Sequence, residues 1–258
     1  MNTIKRTLED KRIIGILLAV IIGAVFVTIS LVVNPAFLRG TPWFILSSIL
    51  RIIFGIAIIM LVKKTYGKSP KELLAFNNAR LAILSGAGFL LFFVYYLVDY
   101  AAGFGGVEGL SAGLVISRLF LMQLTTGFYE ELNYRVLILE GYRHGKQTVG
   151  RKIVYALISF VIFGLLHVVT GWNTYTFLQT GAIGFAFAVI YLNSGNVILP
   201  MILHFVYDIF ANLAGYVKWN DSEVFASVNS VFEVALVIMF VVSFAMLFVK
   251  DEAKVHPN

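Results

Sequence analysis

The residues of this 258-residue chain best equipped for chemistry fall in three short runs. The first is Gly127-Phe128-Tyr129-Glu130-Glu131-Leu132-Asn133-Tyr134-Arg135, inside an apolar segment. Glu131 and Arg135 are i,i+4 neighbours and can pair on one helix face. Glu130 is rotated by about 100° from Glu131, so it lies off that face and is left available for chemistry. The second run, Phe163-Gly164-Leu165-Leu166-His167, closes another apolar segment on a histidine. In the third, His204-Phe205-Val206-Tyr207-Asp208, the imidazole and the carboxylate are again i,i+4, and a carboxylate so placed can fix the imidazole's tautomer. A carboxylate base, two imidazoles and a further carboxylate are what activation of a water molecule needs. Taken singly, each run also reads as structure: an ionic lock between helices, a hydrogen-bonded packing histidine, a polar interhelical contact. An ionised side chain in the middle of a spanning helix costs ~2.5–3.5 kcal/mol on the insertion scale, so three of them close together in one apolar segment are candidates for function.

The elements that must position these residues are membrane helices. Hydrophobic residues make up 59% of the chain and charged ones 13%, with mean hydropathy +0.88. Soluble domains average about 25% charged residues, so the composition belongs to lipid. Eight apolar runs follow one another, at 13–33, 42–62, 81–101, 114–139, 153–170, 176–192, 197–215 and 225–249. The first measures about 31 Å as a helix, against about 30 Å of bilayer core. It lacks the short apolar core and small-residue cleavage site of a signal peptide, so it reads as an uncleaved span. The expected fold is therefore all-α: a polytopic protein of about eight transmembrane helices, one integral-membrane domain over 1–258. Loop 63–80 carries a candidate surface helix at 70–78, and 141–152 is a second basic loop.

There are no cysteines, which excludes disulfides and thiolate metal sites. The net charge of +6 does not point to nucleic acid, because the basic residues sort by topology. With the N-terminus cytoplasmic, that side holds fifteen of them: Lys5, Arg6, Lys11, Arg12, Lys63, Lys64, Lys68, Lys71, Arg80, Arg143, Lys146, Arg151, Lys152, Lys250 and Lys254. The other side holds only Arg39 and Lys218. This satisfies the positive-inside rule and predicts a multi-pass plasma-membrane protein with both termini cytoplasmic. Arg51, Asp99, Arg118 and Glu233 read as interfacial, snorkelling or pairing residues, and the small residues Gly181, Ala182, Gly184, Ala186 and Ala188 as a close helix contact. Measured from the cytoplasmic ends of their helices, Glu130, His167 and His204 lie roughly 14, 21 and 11 Å deep, compatible with one site on adjoining helices.

The sequence Glu130-Glu131-x-x-x-Arg135, Phe163-x-x-x-His167, His204-x-x-x-Asp208 resembles, in order and spacing, the three motifs of the CPBP family. These are the CAAX proteases and bacteriocin-processing enzymes, also called Abi, which include the Ras-converting endopeptidase. The resemblance covers a core of about residues 113–216. It implies an intramembrane endopeptidase with its site in a cavity between the motif-bearing helices. Glu130 with His167 would hold and deprotonate the attacking water, His204 and Asp208 would stabilise the oxyanion, and Glu131, Arg135 and Phe163 would shape the site. Two departures stand out. Tyr134-Arg135-Val136 replaces the usual Phe-Arg-Gly, and Asp208 stands where asparagine is common. An ionised aspartate only accepts hydrogen bonds, so Asp208 either orients and charges His204 or carries a proton itself. Two histidines and a glutamate (Glu130, His167, His204) could bind zinc, but there is no His-Glu-x-x-His run, and the resemblance implies a metal-free, cofactor-free mechanism. The expected partners are the bilayer and a membrane-associated protein or peptide substrate, with peptide maturation, bacteriocin self-immunity and turnover of a signalling protein all open. A non-catalytic immunity or regulatory scaffold of the same fold is the alternative. A transporter is disfavoured, because no inverted repeat or pair of broken spans is evident.

Overall fold

The structure, a computed structural model, describes residues 10–37, 39–144, 146–220 and 232–249. The helices in chain order are α1 (Ile14–Phe37), α2 (Thr41–Tyr66), α3 (Pro70–Leu73), α4 (Ala79–Ser85), α5 (Ala87–Gly103), α6 (112–143), α7 (Val149–His167), α8 (Thr174–Ser194), α9 (Ile198–Leu213) and α10 (Phe232–Met246). Two short strands, β1 (Phe104–Val107) and β2 (Val217–Trp219), pair antiparallel with Phe104 opposite Trp219. The chain is an all-α polytopic membrane protein. Among the described residues five helices are long and apolar enough to cross a bilayer, or six when α4 and α5, bent by 60°, count as one broken span. The difference from eight apolar runs lies in α6, which changes helix type along its length, and in α10, where 15 residues are helical and 225–231 fall outside the described residues.

Burial is arranged inside out relative to a soluble protein. Ile21, Val32, Ile53, Met60, Ile116 and Val237 face outward, while Arg51, Gln123, Glu131, Asn133, Arg135 and His204 are buried. Apolar side chains can cover the outside only where the solvent is hydrocarbon. One core cluster gathers Tyr129, Leu132, Val136, Leu137, Phe163 and Phe185, and the other Phe89, Phe92, Phe187 and Met239.

The small residues of α8 do what their spacing predicts. A Cβ on Gly184 would lie 3.0 Å from the Phe163 Cβ, so α7 and α8 meet there only because the glycine has none. Basic residues cluster at one end of the bundle. Lys68 Nζ lies 2.7 Å from Glu140 Oε1, Lys152 Nζ lies 2.7 Å from Asn193 Oδ1, and the Tyr155 hydroxyl donates to the Arg12 carbonyl at 2.9 Å. The expected surface helix at 70–78 is only four residues long, Pro70–Leu73, opened by a Ser69/Glu72 capping box. It stops because the following asparagines bond backbone elsewhere: Asn77 Nδ2 donates to the Glu72 carbonyl and Asn78 Nδ2 to the Ser194 carbonyl, with Asn78 at φ 46°. Lys5, Arg6, Lys250, Lys254 and both termini lie outside the described residues.

Candidate active site

Glu130 and Glu131 end an α-helical stretch, Gln123–Glu131, that lies between two π-helical stretches of α6, Val115–Met122 and Leu132–Leu137. Such wider turns leave backbone carbonyls short of their usual partners and are frequent at functional sites. Side chains take up the carbonyls here. Ser117 Oγ donates to the Gly113 carbonyl at 2.6 Å, Gln123 Nε2 to Arg118 at 2.9 Å and Thr126 Oγ1 to Met122 at 2.8 Å. In hydrocarbon, with no water to do the same, such bonds are needed to keep the segment intact.

Helix α9 brings the third motif against this stretch. Gly127 makes the approach possible, because a Cβ there would sit 2.9 Å from the Met201 carbonyl oxygen. His204 Nδ1 then lies 2.9 Å from Glu131 Oε1. Glu131 in turn meets Arg135, with Oε2 2.9 Å from Nε and Oε1 3.1 Å from Nη2. Arg135 Nη1 donates to Ser159 Oγ on α7 at 3.0 Å. A buried chain, Ser159–Arg135–Glu131–His204, thus ties α7, α6 and α9 together. The Arg135 guanidinium also lies over the Phe163 ring, 4.6 Å from its centroid.

The two edges of the His204 imidazole differ. The Nδ1 edge is sealed by Glu131, whose side chain is 0% exposed, whereas Nε2 lies 3.4 Å from Asp208 Oδ2 and 3.8 Å from Glu130 Oε2, on side chains 18% and 16% exposed. Because a carboxylate accepts at Nδ1, that nitrogen carries a proton, and Nε2 is the atom turned toward the accessible side. Glu130 Oε2 is buried and takes no hydrogen bond from the protein.

His167 closes α7. Its Nδ1 donates to the Phe163 carbonyl at 2.8 Å, which leaves Nε2 as the free nitrogen. The ring lies 4.5 Å from Phe163 and interacts electrostatically with Asp208, so Phe163 stands between the two histidines. Among the described contacts, the pair brought together is Glu130 with His204 rather than Glu130 with His167. Two carboxylates flank His204: Glu131 lies at Nδ1, and Asp208, expected from its i,i+4 spacing to orient the imidazole, lies at Nε2. Among the described residues no group of three or more His, Asp or Glu side chains is arranged to hold a metal ion.

The sequence reads Arg51 as an interfacial, snorkelling or pairing residue and favours a structural role for it. In the structure this residue of α2 is buried, pairs with Ser47, rests over Phe26 at 5.1 Å, and interacts electrostatically with Glu130 and Asp208. A cation mid-span with no acid at i±3 or i±4 already implies a partner on another helix.

Residues 111–210 match the family model described as type II CAAX prenyl endopeptidase Rce1-like. That segment is similar to the Rce1-like domain of the CPBP family. The Rce1-like segment contains all three motifs and ends just beyond Asp208, while α1 to α5 and α10 lie outside it. No curated protein and no solved structure matches the chain. The Rce1-like match points to a peptidase of the CAAX protease type.

Outside the spans, Glu140 lines a cavity of about 540 Å³ at the basic end, with Lys68, Arg143 and His144. Burial alone would push its carboxyl up, but the Lys68 ammonium and the Tyr191 hydroxyl more than offset this and hold it below the ordinary glutamate value.

Proposed function

We propose that this protein is an intramembrane endopeptidase that hydrolyses a peptide bond of a membrane-associated protein or peptide with a water activated by Glu130. The observation that carries the reading is the Glu130 carboxylate: one oxygen is buried without a protein donor, 3.8 Å from His204 Nε2 on the accessible side of the imidazole. Glu130 accepts a proton from the water as its oxygen attacks the scissile carbonyl, and passes that proton to the leaving amine as the C–N bond breaks. His204, doubly protonated and held from behind by Glu131, donates from Nε2 to the oxyanion. Asp208 keeps that N–H oriented, and Arg135 fixes Glu131 while its guanidinium packs on Phe163. His167, with Nε2 free and Phe163 at its side, is placed to hold the water or the substrate backbone from the far side. Every step uses the chain's own side chains, and the proposal is metal-free and cofactor-free. The basic end, where Lys68, Arg143 and Lys152 gather, is assigned to the cytoplasm, and the plasma membrane is the proposed location.

The test is cleavage of a panel of C-terminal peptides, farnesylated and unmodified, by purified protein in maltoside detergent. Wild type is compared with Glu130→Gln and His204→Ala, each with and without chelator. The proposal expects cleavage lost in both variants and kept with chelator. Cleavage lost with chelator and restored by zinc would overturn the metal-free reading. Variants that retain the protein's phenotype in its native cell would replace the protease by a scaffold.

A further inference from the structure

The end of the bundle opposite the basic loops holds a second cluster that the proposed reaction does not use. A cavity of about 270 Å³ is lined by Tyr96, Asp99, Tyr100, Tyr175, Trp219 and Phe232, with Gln179 and Ala214 completing the wall. Strand β2 contributes Trp219, which packs against Tyr100 with ring centroids 5.1 Å apart at 74°. The other rings run on round the cavity: Tyr96 to Tyr100 at 6.4 Å, Tyr96 to Phe232 at 6.3 Å and Tyr175 to Phe232 at 6.5 Å.

Asp99 sits among these rings at 8% exposure, and its Oδ1 is buried with no hydrogen-bond partner. A buried carboxylate oxygen left in that state is costly and calls for a reason. Among the described residues no cation pairs with it. Lys218, beside Trp219, is held by Glu108 at 2.9 Å, and Arg118 donates to the Tyr216 hydroxyl at 2.8 Å. Glu233 adds a second negative charge beside Tyr175. An aromatic belt at the membrane surface would account for the tyrosines and the tryptophan, but not for a buried carboxylate oxygen without a partner among them.

A carboxylate in a cavity lined by aromatic rings is the chemistry that recognises an organic cation, since a ring face attracts positive charge within about 6 Å of its centroid. The volume lies near the lower limit of ligand pockets, roughly 300 Å³, which suits a headgroup-sized ligand rather than a peptide. We propose that this pocket binds an alkylammonium group, carried by a lipid headgroup or by a free small amine.

The experiment is saturation-transfer NMR on choline and tetramethylammonium with the full chain in maltoside micelles, using uncharged 3,3-dimethylbutanol as the isosteric control. Saturable binding of both cations, absent for the alcohol, is expected. Asp99→Asn should weaken it at least tenfold and Trp219→Leu severalfold, with thermal stability and Glu130-dependent cleavage unchanged. Because Trp219→Leu leaves the acid in place, it keeps the test meaningful should Asp99→Asn fold poorly. Nanodiscs then separate the sources. Choline binding blocked in phosphatidylcholine but not in phosphatidylglycerol supports a lipid headgroup, and equal binding in both supports a free amine. No saturable binding by wild type in micelles or phosphatidylglycerol, equal binding of the alcohol, or wild-type affinity in both variants would overturn the proposal.

Discussion

Arg135→Met probes the buried chain that holds His204. In wild type the guanidinium meets Glu131 at 2.9 Å, both side chains are 0% exposed, and Ser159 and the Phe163 ring complete its surroundings. Two unit charges at that distance attract by about 6 kcal/mol at an effective dielectric constant of 20. Removing one member of such a pair strands the other and costs about 3–5 kcal/mol, whereas an exposed pair would cost about 0–1 kcal/mol. Adding Glu131→Gln to Arg135→Met removes the stranded charge, and the amide oxygen still accepts from His204 Nδ1. The double variant should therefore lose only about 1–2 kcal/mol, which makes the coupling between the sites about 2 kcal/mol or more. The assay is reversible denaturant unfolding in mixed micelles for wild type, the two single variants and the double. An Arg135→Met loss within about 1 kcal/mol of wild type, or a double loss equal to the sum of the singles, would refute the reasoning.

Three further predictions rest on single observations. Asp208→Asn should keep cleavage within about tenfold of wild type, because asparagine can accept as well as donate beside Nε2; a folded variant with no activity would contradict the role given to Asp208. Gly127→Ala places a Cβ 2.9 Å from the Met201 carbonyl, so it should cost about 1–3 kcal/mol in unfolding and slow cleavage by pushing α9 and His204 away; unchanged stability and rate would disprove so close an approach. Glu140 has a lowered folded value, so its stabilisation over Glu140→Gln should be complete above about pH 4.3 and vanish as pH falls through that lowered value; a difference in unfolding free energy that is flat across the range would count against the Lys68 pairing.

Much of this was legible because lipid leaves few polar residues to choose among. The Glu131–Arg135 pair followed from i,i+4 spacing, and the availability of Glu130 from the 100° turn between neighbours. The contact between Glu131 and His204 was not legible, because spacing reports on one helix and this bond crosses two. The π turns that flank Gln123–Glu131 leave no periodic signal strong enough to separate them from an α-helix. Arg51 was visible as a misplaced charge, but its neighbours Glu130 and Asp208 depend on how α2 packs against α6 and α9. The two strands were missed because three or four residues between apolar runs read as loop. Asp99 was read as interfacial, and only the ring of aromatic residues brought from α5, α8, β2 and α10 gives it a setting.

The central claim is that Glu130 and His204 act on one reaction as a unit. Single-turnover cleavage by wild type, Glu130→Gln, His204→Ala and the double variant tests it most directly. The account predicts that each single change slows the chemical step by about 10²–10⁴-fold and that the double variant is no slower than the worse single. A Glu130→Gln enzyme at the wild-type rate, or losses that multiply in the double variant, would contradict it.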